Sequence, residues 1–224
     1  MNPALTTNAG SAVRCTSRPS ARLRTMAAVF GLRIDRGSSR VLIRAAARAH
    51  ARQLDRSLRP GQLAWLTGPS GSGKSSVLAE LSRRVHRRGG VLIEPDEPAL
   101  DDTRTLADRF DGPMAAALAT LARAGLGEPR LLARTPAELS EGQRARVRLA
   151  DAIHQAGRDD NSGVRTLVFD EFASVLDRVT ARALAVSVRR WAAGSPGVRV
   201  VCASAHDDLG DWLAPDLTIE LGAP

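Results

Sequence analysis

The stretch GPSGSGKSS, Gly68 to Ser76, has residue types at a spacing that suits phosphate binding. It fits the pattern G-x-x-x-x-G-K-[ST], with Gly68, Gly73, Lys74 and Ser75 at the fixed places. Glycines in such a loop allow backbone N–H groups to converge on phosphate oxygens, and the N-terminus of the following helix adds a positive dipole. The stretch therefore predicts a nucleoside triphosphate site, with Lys74 between the β- and γ-phosphates and the Ser75 hydroxyl on Mg²⁺.

Lys74 is the only lysine in the chain, although lysine and arginine together number 32. A compact ammonium fits between two phosphates, where a planar guanidinium would not occupy the same space. We therefore interpret Lys74 as a position from which shape excludes arginine. The candidate phosphate-binding residues are Gly68, Pro69, Ser70, Gly71, Ser72, Gly73, Lys74, Ser75 and Ser76.

A second group of candidate residues follows the apolar run TLVF, where Asp170 and Glu171 end a predicted strand. A carboxylate at the carboxyl end of such a strand lies near the metal of a triphosphate site, and the next carboxylate can orient and deprotonate water. We predict Asp170 as a metal ligand and Glu171 as a catalytic base. A small-molecule kinase does not need the second carboxylate, so the pair favours hydrolysis over phosphoryl transfer.

The segment LSEGQ, residues 139–143, is the most discriminating part of the sequence. Ser140 is predicted to cap a helix whose free N–H groups and positive dipole end face outward, toward an anion that the same chain does not hold. The segment resembles the signature sequence of ABC-type ATPases, usually written LSGGQ, with Glu141 in place of the first glycine.

This resemblance covers about residues 28–222 and implies a Mg²⁺-dependent ATPase that forms a head-to-tail homodimer around two ATP molecules. It implies that Ser140, Gly142 and Gln143 of one subunit close the ATP site of the other. SVLD, residues 174–177, is similar to the family's D-loop, and His206 stands where the switch histidine belongs. The implied catalytic residues are Lys74, Glu171 and His206.

The sequence departs from the family pattern at two places that concern function. A glutamine that usually reaches Mg²⁺ and the attacking water is replaced in Pro95-Asp96, so Asp96 is the candidate metal ligand there. No aromatic residue stands about 25 positions before the loop, where the family stacks adenine. The segments DEFASVLDRVTA and SAHDDLGDWLAPDLTIELG resemble a soluble branch of the family that occurs joined to GNAT-type acetyltransferase domains.

Periodicity predicts an α/β fold of the P-loop NTPase type, with a mostly parallel sheet flanked by helices. QLAWLT, GVLIEP, VRTLVFDE, GVRVVCASA and LTIEL are apolar runs that predict strands, and a helical lobe is expected at about residues 100–157. Between Phe30 and Pro60 two patterns compete: Arg44, Arg48, Arg52 and Arg56 have helical spacing, whereas VFGLRI and VLIR are typical of short strands. We favour the strands, and predict a short antiparallel strand region near the N-terminus.

Composition bounds the class of protein. The apolar fraction of 43% is ordinary for a globular chain, and no run approaches the roughly 18 apolar residues of a membrane span. The net charge of +8 comes from residues 1–60, so residues 1–25 are predicted to be a disordered basic tail and residues 26–224 an ATPase domain. Cys15 and Cys202 are expected to be free thiols, and the expected location is cytoplasmic, with peripheral membrane attachment as an option.

Four functions remain open from the sequence. The first is a non-transport ATPase that acts as a dimer, with an acetyltransferase as a separate partner. The second is the ATP-binding subunit of a transporter docked on a membrane partner. The third is a nucleic-acid-associated ATPase that uses the basic N-terminal region, and the fourth is a P-loop kinase, which leaves LSEGQ unexplained. We favour the first.

Overall fold

The structure is a computed structural model that describes residues 12–14, 19–35, 38–158 and 163–222. The chain divides into two units, Met1–Ala46 and Ala47–Pro224. In the first unit, strands β1 (Ala12–Arg14) and β2 (Arg33–Asp35) pair in parallel, and helix α1 (Ala21–Val29) lies between them in sequence. The predicted division at residue 25 stays a prediction, and most of residues 1–25, Cys15 included, lie outside the described residues.

Two strands were expected between Phe30 and Pro60: β2 (Arg33–Asp35) overlaps the first, VFGLRI, whereas helix α2 (Ser38–Ser57) replaces the second, VLIR. The segment VLIR is helical, and the only strand pair described near the N-terminus is parallel, so the predicted antiparallel region is wrong. The run AAARAHAR has high helix propensity, which outweighs the small repulsion between arginines four residues apart. The buried residues of its second half, Ala47, Ala51 and Leu54, share one helical face and pack in the core of the second unit.

The second unit is built on a five-stranded parallel sheet, as predicted. Its strands are β3 (Leu63–Thr67), β4 (Val91–Ile93), β5 (Arg165–Phe169), β6 (Val198–Ser204) and β7 (Leu217–Glu220). Their order across the sheet is β4-β5-β6-β3-β7, and every neighbouring pair is parallel. All five predicted apolar runs are therefore confirmed as strands.

Helices cover both faces of this sheet. They are α3 (Lys74–Arg87), α4 (Met114–Arg123), α5 (Pro129–Leu132), α6 (Glu141–Gly157), α7 (Arg178–Ala193) and α8 (Gly210–Leu213). Along β3, Leu63 and Trp65 pack in one core cluster and Ala64 and Leu66 in the other, because successive side chains of a strand point to opposite faces. The first cluster includes residues of α6 and α7, and the second includes residues of α3.

Ion pairs connect elements that are distant in sequence. The Asp55 carboxylate of α2 is 2% exposed and receives hydrogen bonds or ion pairs from Arg84, Arg88 and Arg199, at 3.2, 3.0 and 3.2 Å. These contacts join α2, α3 and β6 within the second unit.

In the helical lobe, Arg109 donates to both oxygens of Asp151 on α6, at 2.7 and 2.8 Å, and to Asp102 at 2.7 Å. Arg104 and Arg109 hold the pKa of the Asp102 carboxyl far below its usual range, with the hydrogen bonds from Arg104 as the largest cause.

Two further observations bear on the predictions. Cys202 in β6 is a free, fully buried thiol, and burial raises its pKa well above the usual range. In the part of the chain that the structure describes, none of the helices has the length and apolar character needed to cross a bilayer.

Candidate functional site

The carboxyl ends of neighbouring strands bring the candidate residues to one edge of the sheet. Thr67 pairs with Ser204, so the loop after β3 and the turn before His206 leave the sheet side by side. Phe169 pairs with Cys202, which places Asp170 beside the end of β6. Because parallel strands end at the same edge, this is where ligands bind in open α/β sheets.

The phosphate loop, residues 68–76, has the backbone conformation that its glycines permit. Gly68, Gly71 and Gly73 all have positive φ, at 144, 80 and 102°. A Cβ atom at Gly68 would lie 2.3 Å from the carbonyl oxygen of Leu221, the residue after β7. Only glycine allows this close approach of the loop to the end of β7.

Lys74 is the first residue of α3 and is 4% exposed. Its Nζ donates to the carbonyl oxygens of Gly68 and Pro69, at 2.7 and 3.1 Å, so the ammonium lies inside the curve of the loop. Among the described residues, the Ser72 hydroxyl is buried without a hydrogen-bond partner. A buried hydroxyl in this position fits a loop that binds a further polar group.

Asp170 and Glu171 follow β5, and both are exposed. The Glu171 N–H donates to Oδ1 of Asp170 at 3.0 Å, and Glu171 has a φ of 52°, in the left-handed region. A non-glycine residue in this conformation carries local strain, which is common at functional sites.

A cleft of about 520 Å³, here called the loop cleft, brings together the three predicted metal ligands. Ser75, Asp96 and Asp170 all line it. A hydroxyl and two carboxylates are hard oxygen donors of the kind that Mg²⁺ prefers, and together they leave room for phosphate oxygens in its coordination shell. The residues present therefore fit a magnesium ion bound together with a triphosphate.

The turn at residues 139–143, here called the signature turn, leads into α6. Ser140 is exposed and caps α6, accepting from Gln143 N at 3.2 Å, while Gln143 Oε1 accepts from Ser140 N at 2.9 Å. A Cβ atom at Gly142 would lie 3.2 Å from Leu176, so little space remains at that position. The loop cleft does not include the signature turn among the described residues that line it.

His206 lies just beyond β6 and is exposed. Its backbone N–H donates to the hydroxyl of the buried Ser204 at 3.1 Å, which fixes the start of the turn. Asp177, in the segment that is similar to the D-loop, accepts from Thr180 N at 2.9 Å and caps α7. Hydrogen bonds from Thr180 lower the pKa of the Asp177 carboxyl.

Sequence reasoning missed Arg148 and Glu97, which lie at the same edge. Arg148 Nη1 donates to Glu97 Oε1 at 2.7 Å, and Arg148 lines the loop cleft. A usable signal was present: Arg148 follows Glu141 by seven residues on α6, so both lie on one face of that helix.

The chain is similar to known ATP-binding proteins, although no protein-family profile matches it. The hemin import ATP-binding protein HmuV of Hahella chejuensis is 28% identical over 182 residues, which cover 69% of this chain and 71% of the relative. HmuV of Myxococcus xanthus is 26% identical, with coverage of 88 and 84%. The dimeric structure of MJ0796, a bacterial ABC transporter cassette, matches 74% of this chain and 83% of its own, at 18% identity and a TM-score of 0.51, which shows a shared fold.

Proposed function

We infer that this chain, which has the fold of an ABC transporter cassette, binds and hydrolyses ATP with Mg²⁺ as the nucleotide-binding subunit of a transporter. The observation that carries the proposal is the meeting, at one edge of the sheet, of the phosphate loop, Asp170, Glu171 and His206. The relatives support the transport role, because both are named as import ATP-binding proteins. They favour it over the non-transport ATPase that we expected, and neither name concerns an acetyltransferase or a nucleic acid.

The phosphate loop is proposed to bind the triphosphate through its backbone N–H groups and Lys74. The ammonium of Lys74 lies within hydrogen-bond distance of two loop carbonyls, so it is already placed at the centre of the curve. The dipole at the start of α3 adds positive potential at the same point. Ser72 contributes a buried hydroxyl that has no partner among the described residues.

Ser75, Asp170 and Asp96 are the residues proposed to hold Mg²⁺, since all three line the loop cleft. When bound, the ion would neutralise the charge that develops on the phosphate oxygens. Glu171 is proposed to orient and deprotonate the attacking water, and His206 to donate to the γ-phosphate. Both side chains are exposed, so a second subunit would be needed to exclude bulk water from the reaction.

Ser140, Gly142 and Gln143 are proposed to close the ATP site of a second subunit in a head-to-tail homodimer. The exposure of Ser140 and the free N-terminus of α6 support this, because the helix end can meet an anion from outside. ATP binding would draw the two subunits together, and hydrolysis would release them.

The test of the chemistry is Glu171→Gln in the full chain. Loss of the base is expected to lower kcat by about 10²- to 10⁴-fold, while ATP binding persists and the ATP-bound dimer accumulates. Phosphate release, nucleotide binding and sizing with Mg²⁺ and ATP measure the three effects. Glu128→Gln, a change at an exposed carboxylate of the helical lobe, is the control and should behave as wild type. An E171Q protein with wild-type turnover would contradict the proposed base.

The transport role is tested by fractionation of the native cell. We expect the chain to sediment with membranes and to co-purify in detergent with a multi-span protein, whose deletion releases the chain from the membrane fraction. A chain that stays outside the membrane fraction, with active ATPase, would support the non-transport alternative instead.

A further inference from the structure

Arg148 connects α6 to the segment that carries Asp96. Its Nη1 donates to Glu97 Oε1 at 2.7 Å, and its Nη2 donates to the carbonyl oxygen of Pro95 at 3.3 Å. Residues 94–99 follow β4 and belong to no helix or strand. Within the part of the chain that the structure describes, no other side chain hydrogen-bonds residues 94–97. Burial of Pro95 and Pro98 holds this segment against the core, and Arg148 adds its side-chain hydrogen bonds.

Arg148 also lies between two clefts at the edge of the sheet. It lines the loop cleft with Asp96 and Asp170, and it lines a second cavity of about 100 Å³ with Glu141 and Glu171. Six carboxyl residues line these two spaces, and Arg148 lines both; they are Glu94, Asp96, Glu97, Glu141, Asp170 and Glu171. The positive charge of the guanidinium offsets the repulsion among them, which would otherwise push the 94–97 segment away from Asp170.

The hydrogen bonds of Arg148 are incomplete. Its Nε–H is buried and has no partner among the described residues, and the side chain as a whole is 33% exposed. A buried donor of this kind can bind a water molecule or a further polar group.

We infer that Arg148 is a positioning residue that clamps the 94–97 segment to α6 and thereby sets the place of Asp96 in the loop cleft. The inference rests on the proposed function, in which Asp96 is a metal ligand. Ser140 caps the same helix, and seven residues separate Glu141 of the first turn from Arg148. Helix α6 therefore connects Asp96, at the proposed metal site of its own subunit, to the signature turn, which is proposed to close the ATP site of the partner.

The first measurement does not depend on ATPase activity. In the full chain, Arg148→Ala is expected to lower the ¹⁵N NMR order parameters of the Asp96 and Glu97 amides, whereas Arg130→Ala leaves them unchanged. Arg130 is the matched control because it pairs with Glu128 in the same lobe, at 2.7 Å, and is exposed. Should R148A misfold, Arg148→Lys keeps the charge and reaches fewer acceptors, and it is expected to give a smaller decrease. Unchanged order parameters in both variants would overturn the clamp.

The second measurement is the Mg²⁺ dependence of ATP turnover. We expect R148A to raise the Mg²⁺ concentration for half-maximal activity about tenfold, and Glu97→Ala to do the same without adding to it. If Arg148 has a purely structural role, R148A will be less stable but will reach half-maximal activity at the same Mg²⁺ concentration as R130A. That result would overturn the inference about Asp96. A wild-type chain without ATPase activity would refute the proposed function instead, and the order parameters of Asp96 and Glu97 would still decide on the clamp.

Discussion

At the scale of single residues, Lys74 shows how shape restricts a position in an arginine-rich chain. The side chain is 4% exposed, and its ammonium donates to two carbonyls of its own loop. A guanidinium has a broad planar head that cannot occupy the same space, although it carries the same charge.

We expect Lys74→Arg to lose ATP affinity to nearly the same extent as Lys74→Ala, at least about tenfold, because the position requires size as well as charge. Titration of each variant with a fluorescent ATP analogue measures the dissociation constant. The exposed Arg130→Lys is the reverse control and should bind normally. If Lys74→Arg binds ATP with wild-type affinity, the shape of the side chain does not restrict this position, and the single lysine there is a chance result of composition.

A steric contact also restricts position 68 to glycine. Gly68→Ala would place a methyl group 2.3 Å from the Leu221 carbonyl oxygen, at a φ of 144°. We expect the free energy of unfolding to fall by about 2 kcal/mol or more. Gly71→Ala, with a φ of 80° and no atom within 4 Å of the added carbon, should cost less. Urea denaturation of both variants tests the difference, and equal losses would contradict the contact argument.

Much of the site could be predicted from residue types, because phosphate and metal chemistry require them. The glycine loop, Asp170 and Glu171 were predicted from spacing and lie at one edge of the sheet. Arg148 was missed because its spacing from Glu141 places it on the same face of α6 but does not show that the fold brings it beside Glu97. The left-handed backbone of Glu171 was equally invisible, since glutamate seldom adopts it.

At the scale of elements, buried ion pairs add to the apolar packing that joins α2 to its neighbours. Asp55 of α2 is paired with arginines of α3 and β6, and its side chain is 2% exposed. Arg199 is 11% exposed and also donates to the backbone oxygens of Asp55 and Leu58. Removing the carboxylate would leave this arginine charge buried without its counter-charge.

We expect Asp55→Ala to lower the free energy of unfolding by about 3 to 5 kcal/mol, the cost of breaking a buried ion pair. The midpoint of urea denaturation measures it at neutral pH. Glu128→Ala breaks an exposed pair with Arg130 and should change stability by less than about 1 kcal/mol. Similar losses in the two variants would mean that the Asp55 cluster contributes no more than a surface pair.

The elements of the sheet were predicted well, and α2 was not. Apolar, β-branched runs such as VRTLVFDE have one stable place in an α/β fold, between two layers of helices. In the segment around Arg44, however, three apolar residues, Val41, Leu42 and Ile43, favoured a strand while the alanines that follow favoured a helix. Helix propensity and the burial of Ala47, Ala51 and Leu54 decided the outcome, and burial is not visible in a single sequence.

At the scale of the whole molecule, the proposed dimer gives the signature turn its function. Ser140 is exposed and its hydroxyl caps α6, so a substitution must preserve the cap if it is to test contact with a second subunit. Asp and Asn both cap helices as well as serine does, and they differ in charge.

We expect Ser140→Asp to prevent the ATP-dependent dimer of the E171Q protein, because its negative charge opposes the phosphates of the partner's ATP. Ser140→Asn should retain dimerisation. Sizing with Mg²⁺ and ATP distinguishes the monomer of 23.8 kDa from a species of twice that mass. If both variants dimerise equally, the signature turn does not meet the partner's phosphates.

The Lys74 ammonium donates to two carbonyl groups of its own loop, and this has a consequence for how the subunits could respond to a nucleotide. Because the loop is already ordered around the Lys74 ammonium, it loses little conformational entropy when an anion binds. The anion replaces hydrogen-bond partners in the loop and does not have to order a flexible segment. The free energy of that contact is then not consumed locally. It would remain available to hold together the two subunits of the proposed dimer.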